Sequence, residues 1–335
     1  MAEFPAPGDR LATVFGGSGF LGRYIVRAFA QAGWRVRVAV RRPDLAGFLR
    51  TYGAVGQVEP VQANVRFPAS LDAALEGAEV VVNATGIARE SGRQRFESVH
   101  VHGAEAIARA ARAAGARALT HISGLGADAH SANAYIASKG RGEEALRAAF
   151  PEATILRPSV VFGPEDAFFN RFADLARFLP VLPAFSGGAA KLQPVYVCDV
   201  ALAAARALDG GLKPGATYEL GGPEIMTLTE AMALALRFAE RRRAIVPVPY
   251  APSRWIAQAT EIASLVSFGL FPEVLTTTRD SVDLLRSDNV VSADAVAQGR
   301  DFAGLGIAPR GAEAILPLYL ARYRKTGQFA SNRFA

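Results

Sequence analysis

Tyr135 and Lys139 stand four residues apart in a stretch of helical period, so both side chains fall on one helix face. A lysine ammonium held beside a phenol can lower the phenol's pKa from about 10, which makes tyrosine usable as a general acid or base. Ser123 ends the preceding apolar strand and can supply a hydroxyl that orients a substrate beside such a tyrosine. A second group of residues is suited to holding an anion. Gly16-Gly17-Ser18-Gly19-Phe20-Leu21-Gly22 follows the apolar run Leu11 to Phe15 and opens an Ala-rich amphipathic stretch. Gly16, Gly19 and Gly22 have the spacing that lets a strand turn sharply, lets backbone approach a pyrophosphate and packs the following helix on the sheet. The phosphate would lie on free N–H groups at the helix N-terminus. An NAD-preferring site wants a carboxylate at the end of the second strand, and Arg41 and Arg42 stand there instead. Paired guanidinium groups suit a 2′-phosphate, so NADP(H) is the expected cofactor. Asp44, after Pro43, reads as a turn or cap residue.

These residues need a scaffold that alternates strand and helix, and the apolar patterning provides one. Strands are predicted at 11–15, 35–40, 58–61, 79–83, 118–122 and 154–157, with helices up to 32 and at 71–75, 104–114 and 135–149. This alternation implies an α/β fold, a Rossmann-type doubly wound parallel sheet. After Pro164 it breaks down into helices near 168–178 and 200–208 with a short strand at 195–197, and from Gly221 a smaller α-rich region follows, with helices near 227–240, 252–266 and 312–323. The expected division is a nucleotide-binding domain of residues 9–163 and 192–222, interleaved with a C-terminal domain of 164–191 and 223–335 that ends in a basic tail.

Composition limits what such a chain can do. Its 335 residues are half hydrophobic and one-fifth charged, which fits a folded globular protein and excludes wholesale disorder. The 37 basic and 31 acidic side chains leave +6, a mild excess that favours an acidic partner, surface or phosphate ligand. One cysteine excludes an intramolecular disulfide framework, and the four histidines lack metal-site spacing, so no metal is expected. The charge is scattered, with no aromatic-basic module, and nucleic acid is not an expected partner. Neither a signal peptide nor a transit peptide is expected at the N-terminus. The longest apolar stretch, 262–271, is shorter than the ~20 residues of a membrane span. Trp255, Ile256, Ala259, Ile262, Leu265 and Val266 recur at helical spacing before Phe268, Leu270 and Phe271. They read either as a packed helix or as a surface for an apolar subunit or bilayer.

Taken in order, Gly16-x-x-Gly19-x-x-Gly22, Asn83-Ala84-Thr85-Gly86, Ser123, Tyr135-x-x-x-Lys139 and Leu156 to Pro164 resemble the short-chain dehydrogenase/reductase superfamily, in its extended or atypical branch. The resemblance implies that Thr85 and Gly86 line the cofactor, that Asn64-Val65 lies beside the adenine, and that the segment from Pro158 through Ser159 and Val160 flanks the nicotinamide. Three positions depart from that pattern: Phe15 where threonine is common, Asn64 where an acid is common, and His100 where a helix asparagine is common.

Arg157 to Asp166, Phe168 to Phe172, Leu179 to Pro183, Gln193 to Val200 and the Tyr323 to Gln328 run are similar to the nucleotide-binding accessory subunits of respiratory complex I. That resemblance implies a tightly bound, structural NADPH and partners among the other subunits of the peripheral arm and its membrane junction. Ser123, Tyr135 and Lys139 would then be vestigial catalytic residues. It also implies a peripheral place on the cytoplasmic side of a bacterial inner membrane, or on the matrix face of the mitochondrial one. The basic tail, with Arg322, Arg324, Lys325 and Arg333, reads either as a solvated tail or as a surface for an acidic subunit or anionic lipid headgroups.

Overall fold

Leu11–Phe15 (β1) has four of its five residues buried, the pattern of a strand covered on both faces. Strands Arg35–Val40 (β2), Val58–Gln62 (β3), Val80–Asn83 (β4), Ala118–Ile122 (β5), Thr154–Pro158 (β6) and Thr217–Leu220 (β7) join it in one sheet. Their order is β7-β6-β5-β4-β1-β2-β3, and every neighbouring pair is parallel. Helices Phe20–Gln31 (α1), His102–Ala113 (α2) and Ala134–Ala149 (α3) cross between strands, and Val197–Ala205 (α4) packs against α1. The doubly wound parallel sheet expected from the sequence is the fold observed. The chain direction across the sheet reverses between β1 and β4, and ligands of such sheets bind at the carboxyl ends of strands at this point. The core on one face joins Phe15, Leu71, Leu75, Val81, Ile107, Leu119, Leu146 and Phe150.

The structure is a computed structural model that describes residues 8–266, 272–325 and 327. It divides into two units, one running through Pro158 with Val197–Leu220 and Val291–Ala308, the other holding Ser159–Tyr196, Gly221–Val290 and the residues from Pro309 onward. These bounds differ from the sequence expectation in two places. Residues 159–163, 192–196 and 221–222 belong to the second unit, where Val161–Phe162 pairs in parallel with Val195–Tyr196. Residues 291–308 belong to the first, because they finish the open edge of β7. The Ser292 N–H donates to Glu219 Oε2 at 2.8 Å, the Glu219 N–H to the Arg300 carbonyl at 2.8 Å, and Arg300 Nη1 to the Thr217 carbonyl at 2.9 Å.

The second unit packs helices Phe169–Phe178, Leu228–Phe238 and Ala312–Leu320 around Phe162, Phe169, Leu316 and Leu320. Asp166 ties its parts together. Its carboxylate accepts backbone N–H groups of Gly163, Phe168 and Asn170 and the Tyr319 hydroxyl, the last at 2.5 Å. Arg322 donates to the Pro164 carbonyl and to Asn170 Oδ1, and Arg324 meets Glu240 at 3.2 Å, so these two tail cations are held within the unit. Arg333 lies outside the described residues. Helix Tyr250–Val266 buries Ser253 and Ala257 but leaves Trp255 73% and Ile262 51% exposed. Phe268, Leu270 and Phe271, expected to continue this apolar surface, lie outside the described residues. No helix among the described residues is long and apolar enough to cross a membrane.

Candidate functional site

A cavity opens where β1, β2 and β4 end, lined by Gly16, Ser18, Gly19, Arg41, Asn64, Val65, Arg66, Thr85 and Gly86, among others. The turn out of β1 demands glycine at Gly16, whose φ is +73° and whose added Cβ would lie 2.8 Å from the Ala84 carbonyl oxygen. A Cβ on Gly22 would run into the Gly16 carbonyl, so this glycine lets α1 seat against the turn. Gly19 is the N-cap of α1 and is extended. No side chain caps the helix and its first turn carries no acid, so its leading N–H groups and positive dipole end are suited to receive an anion. Gly17 is packed inward against Val38 and Val26, and Phe20 and Leu21 begin the helix behind the cavity wall.

At the far end of the cavity the two expected arginines are placed differently. Arg41 lines the wall, whereas Arg42 reaches the exposed Asp44 at 3.5 Å. A second cation comes from Arg66, whose Nε is buried and has no partner among the described residues. Asn64 closes the turn that presents it, accepting the Arg66 N–H at 3.1 Å. The signal for Arg66 was present in the sequence, one residue beyond the Asn64-Val65 pair. Asn83 sets the opposite wall by accepting the Thr85 N–H at 3.0 Å and the Thr85 hydroxyl at 2.5 Å.

His100 joins this wall to α3. The Ile87 N–H donates to His100 Nε2 at 3.0 Å, which puts the ring proton on Nδ1, 2.8 Å from Ser138 Oγ. Ser138 in turn donates to the Tyr135 carbonyl at 2.7 Å. The imidazole stacks on Phe96 and meets the Tyr135 ring edge-on. Burial, with the Lys139 charge, pushes its pKa down to about 3, so the ring is a neutral strut. The sequence marked His100 only as a departure from a family pattern. Its role depends on partners 13 and 38 residues away.

Ser123, Tyr135 and Lys139 do come together at the end of β5 and the start of α3, but their hydrogen bonds lead elsewhere. The Ser123 hydroxyl donates to buried Glu143, and Glu143 is gripped by Arg157 through Nε at 2.9 Å and Nη2 at 2.6 Å. Burial works against the Arg157 charge, but its bonds to Glu143 more than offset that and raise its pKa. Lys139 is buried with Nζ 6.0 Å from the Tyr135 ring centroid and 3.5 Å from the Ile122 carbonyl. Burial pulls its pKa down to about 8, against the pull of Glu143. Burial also raises the Tyr135 pKa, the opposite of the expected lowering. A Cβ on Gly86 would stand 3.5 Å from Lys139 Nζ, so the ammonium lies just behind the cavity wall. Pro158 ends β6 and accepts the Leu125 N–H. Ser159 and Val160 belong to the second unit, where the Ser159 hydroxyl bonds Asn289 Oδ1 at 2.6 Å and the Val160 carbonyl accepts the Val195 N–H.

An uncapped helix N-terminus, a glycine turn and two guanidinium groups along one cavity fit the two phosphate regions of a nicotinamide dinucleotide. The fold and this site define a Rossmann-type nucleotide-binding protein of the short-chain dehydrogenase/reductase kind, and residues 16–166 match a family described as NAD(P)H-binding. The solved structure of the NADPH-dependent quinone oxidoreductase QOR2 of Escherichia coli, complexed with NADPH, shares the fold. Its TM-score is 0.66 at 21% identity, covering 91% of this chain and 98% of that one. Over 191 residues the chain is 41% identical to a ceramide reductase of Caulobacter vibrioides, covering 57% of this chain and 58% of that one. Over 321 residues it is 35% identical to mitochondrial NADH dehydrogenase [ubiquinone] 1 alpha subcomplex subunit 9 of Arabidopsis thaliana, covering 95% of this chain and 79% of that one. The chain belongs to the family of these subunit 9 proteins.

Proposed function

We propose that the protein is an accessory subunit of respiratory complex I that holds NADP(H) as a structural cofactor and supports the peripheral arm near the membrane. The observation that carries this reading is similarity to a complex I subunit over 95% of the chain. The geometry supports it. The Ser123 hydroxyl is committed to the Glu143–Arg157 pair rather than held free to orient a substrate. Arg41 and Arg66 favour a 2′-phosphate, hence NADP(H) over NAD(H). A nucleotide bound only by the native state stabilises the fold by mass action. Attachment to the membrane is through other subunits, on the cytoplasmic face of a bacterial inner membrane or its mitochondrial equivalent. Gentle solubilisation of native membranes tests the reading. The chain should comigrate with NADH:ubiquinone activity, and free chain with no such association would overturn it.

A second reading, an NADP-dependent reductase, is favoured by the retained Tyr135–Lys139 pair and by the 41% identity to a ceramide reductase. Bound nicotinamide would supply the hydride. Tyr135 would hold the proton at its hydroxyl, and Lys139 would orient it. Tyr135→Phe separates the two readings: intact assembly and respiration are expected of the subunit, and loss of a defined reductase activity is expected of the enzyme.

A further inference from the structure

The second unit holds a cavity of about 400 Å³ far more apolar than the nucleotide site, walled by Phe168, Phe172, Leu175, Leu228 and Met232. A dry cavity of ~150 Å³ accommodates benzene, so this one has room for roughly sixteen carbons. A peptide would bring backbone N–H and carbonyl groups that such a wall cannot satisfy, which argues for a hydrocarbon occupant. Among the described residues, Arg171 is the only charged one in the lining. Its Nε donates to the Val274 carbonyl, and its Nη2 donates to the Thr276 carbonyl and Thr277 Oγ1. All of these partners are neutral, and among the described residues it has no carboxylate partner. Burial already works against its charge. A largely buried cation normally faces an anion. Ile256 belongs to the lining and is also 40% exposed on helix Tyr250–Val266, so an apolar surface reaches the cavity rim.

We propose that this cavity binds a single-chain anionic amphiphile, its hydrocarbon chain among the phenylalanines and leucines and its carboxylate or phosphate head on Arg171. Neither cofactor binding nor membership of complex I is needed for this site. The test is binding of palmitate and of hexadecanol to the purified full chain by displacement of a fluorescent fatty acid. The wild type is expected to bind one palmitate, about tenfold more tightly than hexadecanol, as a charge-assisted bond to the head requires. Ala167, exposed at the rim, gives a plugging variant with little risk to folding. Ala167→Trp should weaken both ligands about tenfold while NADP(H) retention and the melting temperature stay unchanged. Arg171→Gln should remove the preference for palmitate and keep hexadecanol within about twofold. The proposal is overturned if palmitate shows no saturable binding, if wild type does not prefer the acid to the alcohol, or if Ala167→Trp binds both as wild type does.

Discussion

Two buried histidines should make this fold acid-labile in a measurable way. His100 and His121 are each 2% exposed, and burial first, with the Lys139 charge second, pushes both pKa values from 6.5 to about 3. A base depressed in the folded state binds fewer protons there than in the unfolded chain. Its neutral form is therefore fully accommodated above pH 6.5, and stability is lost as pH falls from 6.5 toward 3. From pH 7.5 to pH 5 each histidine removes about 2 kcal/mol, from RT ln(1 + 10^1.5), a large part of a typical folding stability. Urea unfolding at both pH values, on wild type, His100→Asn and His121→Asn, reads this directly. Asparagine keeps a donor and an acceptor at His100 but does not titrate. Each variant's own baseline cancels, so each should lose about 2 kcal/mol less than wild type across the interval. Variants that lose as much as wild type would refute the assignment of neutral histidines.

Other perturbations address the cofactor site and its support. Gly22→Ala puts a methyl into the Gly16 carbonyl and should cost about 1–3 kcal/mol with loss of retained nucleotide, read by thermal unfolding and by absorbance of the purified protein. Glu143→Gln leaves the Arg157 charge without its carboxylate and should destabilise by about 3 kcal/mol, with the Lys139 pKa falling further because the Glu143 charge raises it. Arg66→Ala should weaken NADP(H) about tenfold and leave NAD(H) unchanged in a calorimetric titration, whereas Arg42→Ala should change neither.

Much of the first unit is legible in the sequence because its signals are local. The glycine turn, the apolar strands and Thr85-Gly86 each announce themselves within a few residues, whereas the switch point rests on a strand order that alternation alone does not give. Thr217–Leu220 gave no such signal, since a four-residue edge strand owes its existence to pairing with β6 and to the cover of residues 291–308. That Arg41 lines the cavity while Arg42 meets Asp44 depends on side-chain direction at the end of a strand, which type and spacing do not encode. Ser123 was read as an orienting hydroxyl because Glu143 and Arg157, which take it up, are 20 and 34 residues away in sequence. The apolar cavity beside Arg171 is likewise assembled from helices distant in the chain.

The central claim is that this chain carries a resident NADP(H) as part of complex I. Affinity purification through a tag on this chain, followed by denaturation and identification of the released nucleotide, tests it most directly. The account predicts an eluate with NADH:ubiquinone activity and one NADP(H) per copy of the chain. An eluate without that activity, or one that releases NAD(H) or no nucleotide, would contradict it.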